Sequence, residues 1–117
     1  SKVFGPGTRP SQSELHQFWR LLTHNRGKRE FYRLFHYIPE RRAQRARWVG
    51  ALQRGAVPMR LINGPEDPVS GAHLATRYRE LISAADVVSL PGIGHYPHVE
   101  APNGVLAACA PLWPQPV

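Results

Sequence analysis

Cysteine is nearly missing from these 117 residues, Cys109 being the only one. That excludes an internal disulfide and a zinc site built from several thiolates. Methionine is as scarce, with Met59 alone. The opening Ser1-Lys2-Val3-Phe4-Gly5-Pro6 has no initiator and reads as the interior of a longer protein. No apolar run approaches the ~18 residues that cross a bilayer, and no charged-then-apolar signal segment opens the chain. Acidic residues are few: eight Asp and Glu stand against fifteen Lys and Arg, a net charge of +7. Arg41, Arg42, Arg45, Arg47 and Arg54 crowd one stretch. Such a face attracts nucleic acid, anionic lipid or an acidic protein. No binding motif accompanies it, however, and long Arg stems also cover apolar surface on an ordinary solvated helix. Nucleic acid is therefore not an expected partner, and no transmembrane segment is expected.

Hydrophobic residues make up 42% of the chain, ordinary for a folded protein and too many for a disordered one. The length allows one domain or less. A soluble, cytoplasmic location is expected, with peripheral or endoplasmic reticulum membrane association as the alternative.

The composition changes near residue 55. Residues 1–10 hold two Gly and two Pro and form a loop. Ser11 and Glu14 match a capping box, and Leu15, Phe18, Trp19 and Leu22 follow at helical spacing until Gly27 breaks the pattern. A second helix shows Phe31, Leu34, Phe35 and Ile38 on one face and ends at Pro39. A third runs from near Glu40 to about Arg54, with the Arg cluster on one side, Trp48, Val49 and Leu52 on another, and Gly55 as its C-terminal cap. The run from Val57 to Asn63, stopped by Gly64-Pro65, predicts a strand. Ala72–Ser83 predicts a helix, with Leu74, Tyr78, Leu81 and Ile82 on one stripe. Asp86–Leu90 predicts a second strand ended by Pro91-Gly92. A last helix is predicted over Pro102–Trp113, with Pro102 in its first turn and Pro111 and Pro114-Gln115-Pro116 ending it.

Strand, helix, strand with about twenty intervening residues is a crossover between parallel strands. Parallel strands need cover on both faces and partners on their edges. Two strands cannot meet that need alone, so the sheet is incomplete in this chain.

In open α/β sheets the reactive groups sit in loops beyond the carboxyl ends of the strands. Two such loops exist, Asn63-Gly64-Pro65-Glu66-Asp67-Pro68-Val69 and Pro91-Gly92-Ile93-Gly94-His95-Tyr96-Pro97-His98-Val99-Glu100. Asp67 and His95 thus fall at the same end of neighbouring strands. A carboxylate there can accept a hydrogen bond from the imidazole, fix its tautomer and stabilise the imidazolium formed in general-base work. Pro68 keeps Asp67 out of helical conformation. Taken singly, Asp67 also suits an ordinary turn and His95 an ordinary loop. Their order, acid before His, fits the last two places of the nucleophile, acid, His sequence of hydrolytic triads on such sheets. No Gly-x-Ser-x-Gly turn or equivalent nucleophile motif is present.

These two loops, with the helix and strand between them and the Ala101-Pro102 that follows, resemble the C-terminal third of α/β-hydrolases, in the epoxide hydrolase and haloalkane dehalogenase subgroup. Phe4-Gly5-Pro6, Thr8-Arg9-Pro10-Ser11, Ser13-Glu14-Leu15 and Arg47-Trp48-Val49-Gly50-Ala51-Leu52 resemble the family of the mesoderm-specific transcript protein and its bacterial-type relatives. The resemblance covers nearly the whole chain. It implies a loop over 1–10, a helical cap segment over 11–55, and over 56–117 the last two parallel strands and flanking helices of the hydrolase core. It implies Asp67 as triad acid and His95 as triad base, with Glu100 supporting the loop rather than reacting. The nucleophile of that subgroup, usually an Asp, and the oxyanion-hole loop lie upstream and are absent here, so the chain alone is expected to be inactive.

Among weaker signals, Tyr32 and Tyr37 would polarise an epoxide oxygen if they are the cap tyrosines of such enzymes, and otherwise pack. Trp19 and Trp48 would hold a halide in a dehalogenase. Trp19 sits on the apolar stripe and reads as core, Trp48 as packing. His95 and His98 would need a helix to share a metal. Pro97 argues against one, and no carboxylate or Cys completes a ligand set, so no metal is expected. Gly92-Ile93-Gly94 lacks the third glycine and the helix of a dinucleotide fingerprint, so no cofactor is expected. Cys109 is expected to be buried and inert.

The sequence therefore supports a hydrolase for a small, mostly apolar epoxide, halide or ester, joined by the missing N-terminal half of the fold or by self-association. The alternatives are a non-catalytic module that uses the Arg-rich helix on nucleic acid, anionic membrane or a protein, and a pseudoenzyme fragment that assembles through its open sheet edge.

Overall fold

A computed structural model describes residues 2–113. The tail Pro114-Gln115-Pro116, expected to end the last helix, lies outside them. The chain divides into two units: Pro10–Ala51 is one, and the residues up to Arg9 together with those from Leu52 onward are the other.

The Pro10–Ala51 unit is helical. α1 (Gln12–Thr23) begins on the expected capping box. Ser11 Oγ accepts from the Glu14 N–H, and Glu14 Oε2 accepts from the Ser11 N–H at 2.8 Å. Each side chain thus satisfies an amide left free by the first turn. The break after α1 differs from expectation. It falls at Asn25 and Arg26, both with positive φ, inside a 3₁₀ turn over His24–Arg26, and Gly27 opens the next helix, α2 (Gly27–Leu34). Pro39 does not end a helix. It sits in the first turn of α3 (Tyr37–Ala43), where its missing N–H has no intrahelical partner to lose. The long third helix divides at Gln44 into α3 and α4 (Arg45–Gln53). Gly55 behaves as expected, with φ 56° and its N–H on Leu52 O, the left-handed turn that closes a helix. None of these helices buries a residue.

The second unit is a mixed α/β arrangement. β1 (Leu61–Asn63) pairs in parallel with β2 (Val87–Ser89), and α5 (Ala72–Leu81) crosses between them. Both strands are shorter than the apolar runs that suggested them. Pro58 brings no amide to a ladder, and β1 and β2 have only each other to pair with among the described residues. Arg60 closes the amino-terminal end of the pair. Its Nε and Nη2 both lie 2.8 Å from Asp86 Oδ2, and its Nη1 donates to Ala108 O of α7 (Pro102–Cys109). α7 stops at Cys109 and gives way to a 3₁₀ turn, Ala110–Leu112, rather than running on to Trp113. Cys109 is half-buried, not buried. A short helix not foreseen, α6 (Pro97–Glu100), follows the His95 loop. Pro97 is its first residue, the helix position that tolerates proline best.

The buried apolar residues are few: Ala75, Ile82, Ile93 and Ala108. No described side chain is fully buried. Asn63, the last residue of β1, and Asp67 in the loop beyond it are each 5% exposed, more buried than either isoleucine.

Candidate active site

β1 ends at Asn63, and Gly64 turns the chain at once. A Cβ on Gly64 would strike the carbonyl oxygens of Ile93 and Gly94, so the two loops beyond the strands approach backbone to backbone. The Glu66 N–H donates to Ile93 O at 3.0 Å and ties them. This contact sets Asp67 opposite His95.

Asp67 is 5% exposed and fully engaged. Oδ1 accepts from the Val69 N–H at 2.9 Å. Oδ2 accepts from the Ser70 N–H at 2.9 Å, from the Ser70 hydroxyl at 2.5 Å and from His95 Nδ1 at 2.8 Å. The local part of this pattern is a side chain capping its own turn two and three residues on. Asn63 Nδ2 donates to Ser70 O and steadies that turn from the strand side, while its Oδ1 is buried without a partner among the described residues.

Burial pushes the Asp67 carboxyl up. The Ser70 hydroxyl, the Val69 N–H, His95 and the Ser70 N–H pull it down more strongly, leaving it lowered from 3.8 to about 2. The carboxylate therefore stays ionised beside the imidazole. A lowered folded-state pKa stabilises the fold fully above the unfolded value and loses that stabilisation as pH falls from near 4 toward 2. The shift corresponds to about 2 kcal/mol. Denaturant unfolding of the parent and of Asp67→Asn at pH 7 and pH 2 is expected to show their stability gap shrink by that amount. A constant gap would mean that the carboxylate charge contributes nothing to folding.

His95 is positioned by its backbone as well as its ring. Its N–H donates to Val3 O at 2.7 Å. With Nδ1 on Asp67, Nε2 is the nitrogen left to exchange a proton. The side chain is 33% exposed, open enough for a reacting group to reach it. Tyr96 stands edge-on to the imidazole at 4.8 Å, and Phe4 tilts against Tyr96 at 5.2 Å. The pair can thus hold one tautomer, accept a proton at Nε2 and stabilise the resulting cation.

The structure brings Asp67 and His95 together. His98 does not join them: it lies in α6, and no cluster of metal-ligand type is present among the described residues. Ser70, Asn63 and Val3 were not singled out in the sequence. Ser70 had a signal, since Asp-Pro-Val-Ser is a turn whose Asp side chain bonds forward. Tyr32, Tyr37, Trp19 and Trp48 are 59%, 47%, 51% and 41% exposed. Trp19 is thus not a core residue, and Lys28 Nζ stands 3.9 Å over its ring. Arg41, Arg42, Arg45, Arg47 and Arg54 are all exposed. A cavity of about 540 Å³ opens at the amino-terminal end of the strands, between Leu52, Val57, Met59, Tyr78, Ile82 and Leu112. It is lined by neither Asp67 nor His95.

No family model matches the chain, and no solved structure matches it significantly. It is 38% identical over 111 residues, 95% of its length, to the protein named "Putative hydrolase LipZ" of Mycobacterium tuberculosis. To the mesoderm-specific transcript protein of Mus musculus it is 40% identical, and to the homologous protein of Homo sapiens 42%, in each case over 108 residues and 91% of the chain. The chain spans 38% of the length of the first and 32% of the other two. The resemblance to the mesoderm-specific transcript proteins, first drawn from short motifs, therefore extends along nine-tenths of the chain.

Proposed function

We propose that this chain is the C-terminal part of an α/β-hydrolase, with residues 11–55 as a helical cap segment and 56–117 as the end of the catalytic core. Asp67 is the acid and His95 the base of its triad. The observation that carries this reading is the 2.8 Å contact between His95 Nδ1 and a buried, ionised Asp67 at the carboxyl ends of two parallel strands. A charge-driven binding module needs no such pair. The hydrolase name of one relative supports the same reading. So does the state of the sheet: two short parallel strands with no large buried side chain ask for further strands.

The nucleophile is supplied by a part of the protein outside these residues. In the subgroup resembled, a carboxylate attacks a carbon of an epoxide or haloalkane; the ring C–O or the C–halogen bond breaks, the oxygen or halide departs with the electron pair, and an alkyl ester forms. Nε2 of His95 then takes a proton from water as the hydroxide adds to the ester carbonyl, the acyl C–O bond breaks, and the proton on Nε2 passes to the departing alcohol oxygen while Asp67 stabilises the imidazolium. The substrate class is a small, mostly apolar epoxide, halide or ester. The test is an assay of the full-length protein against epoxides, haloalkanes and carboxylic esters. Turnover of at least one class is expected, and no turnover of any would remove the hydrolase reading.

A further inference from the structure

We infer that Glu100 is a positioning residue for His95, acting through a carboxylate clasp that seats the Val3–Thr8 segment against the His95 loop. The inference rests on His95 being the base proposed above.

One carboxylate serves four donors from two distant parts of the chain. Oε2 accepts from the Gly5 N–H at 2.8 Å, from the Thr8 hydroxyl at 2.5 Å and from the Gly94 N–H at 2.9 Å, and Oε1 accepts from the Tyr96 N–H at 2.9 Å. Gly94 and Tyr96 flank His95. The amide between them, that of His95 itself, donates to Val3 O, in the segment that Glu100 holds. Three consecutive backbone amides, 94, 95 and 96, are therefore anchored, two by Glu100 directly and one by the segment it clasps. This fixes the backbone that carries the imidazole, as Asp67 fixes the ring itself.

The arrangement is too specific for a solubilising surface charge. Glu100 is half-buried, its four donors spare neither oxygen, and those from Gly5 and Thr8 lie 95 and 92 residues away in sequence. A misplacement of a catalytic group by ~1 Å costs about a hundredfold in rate, so a base on a loop gains from such anchoring.

The test uses Glu100→Gln, which keeps size but sets an NH₂ against N–H or O–H donors whichever way the amide turns. By NMR of the labelled chain, amide exchange at Gly94, His95 or Tyr96 is expected to quicken about tenfold or more. The His95 Nδ1 proton signal is expected to broaden, while the Val69 and Ser70 amides on Asp67 stay protected. Thr8→Val, which removes one clasp donor and leaves Glu100 in place, is expected to act in the same direction with smaller effect, and it decides the matter if Glu100→Gln does not fold. In the full-length protein kcat is expected to fall about tenfold with KM held. An unchanged Nδ1 proton and unchanged exchange at 94–96 in both variants would overturn the positioning role. Protection lost equally at Val69 and Ser70 would overturn it too, since Glu100 would then serve the fold at large. A broadened Nδ1 signal in a protein without turnover would leave the clasp standing and remove only the hydrolase reading.

Discussion

Asp67→Asn is expected to lower kcat of the full-length protein about 10⁴-fold, and His95→Ala by at least as much, with the thermal midpoint and circular dichroism little changed for His95→Ala. Asp67 Oδ2 holds the Nδ1 proton of His95 and so keeps Nε2 free to act as base. An amide at position 67 carries no charge to stabilise the imidazolium. It must also place its NH₂ against a backbone N–H, that of Val69 or that of Ser70, whichever way it turns. Loss of this charge and tautomer control in a hydrolytic triad costs about four orders of magnitude. Because the two side chains act as a unit, the double variant is expected to be no slower than the slower single one, a non-additivity that a merely structural pair would not show. Steady-state kinetics on a substrate found in the panel reads both. Retained turnover in His95→Ala would exclude the triad assignment.

The Asp67–His95 contact was legible in the sequence because a general rule places it: loops beyond the carboxyl ends of adjacent parallel strands meet. The capping box at Ser11 and Glu14 was legible because its partners are three residues apart and depend on nothing else. What lies between these extremes was not. The donors that Glu100 collects from Gly5 and Thr8 are more than ninety residues away in sequence, and no local pattern links such positions. The break at Gln44 has no Gly or Pro to announce it, so Glu40–Arg54 reads as one helix although the chain forms two. Asn25 and Arg26 take positive φ where Gly27 was the expected breaker. Asn is a residue that tolerates that conformation, Arg is not, and only the connection between α1 and α2 selects it. Pro97 and Pro39 were read as barriers to helix, yet both occupy first turns. The same residue ends or starts a helix according to where the neighbouring carbonyls fall, which sequence alone leaves open.

Gly94→Ala is expected to destabilise the chain by about 3 kcal/mol, near the top of the range for a single overpacking substitution. The added methyl would fall on Val3 O, Gly5 N and Phe4 C, all backbone atoms that cannot rotate away. Relief requires the Val3–Gly5 segment to lift off the His95 loop, and lifting it breaks the His95 N–H bond to Val3 O and the Gly5 N–H bond to Glu100 together. The cost is thus steric first and then cooperative, because one displacement removes two anchors of the candidate base. Gly7 provides the control within the same segment: a Cβ there meets nothing within 4 Å, so Gly7→Ala is expected to stay within about 0.5 kcal/mol of the parent. Urea denaturation of the two variants beside the parent measures the difference. A large loss confined to Gly94→Ala would place residues 3–5 as a working wall of the His95 loop. Equal, small losses would mean that the segment is not seated there, and the backbone support of His95 would then reduce to the amides that Glu100 holds within its own loop.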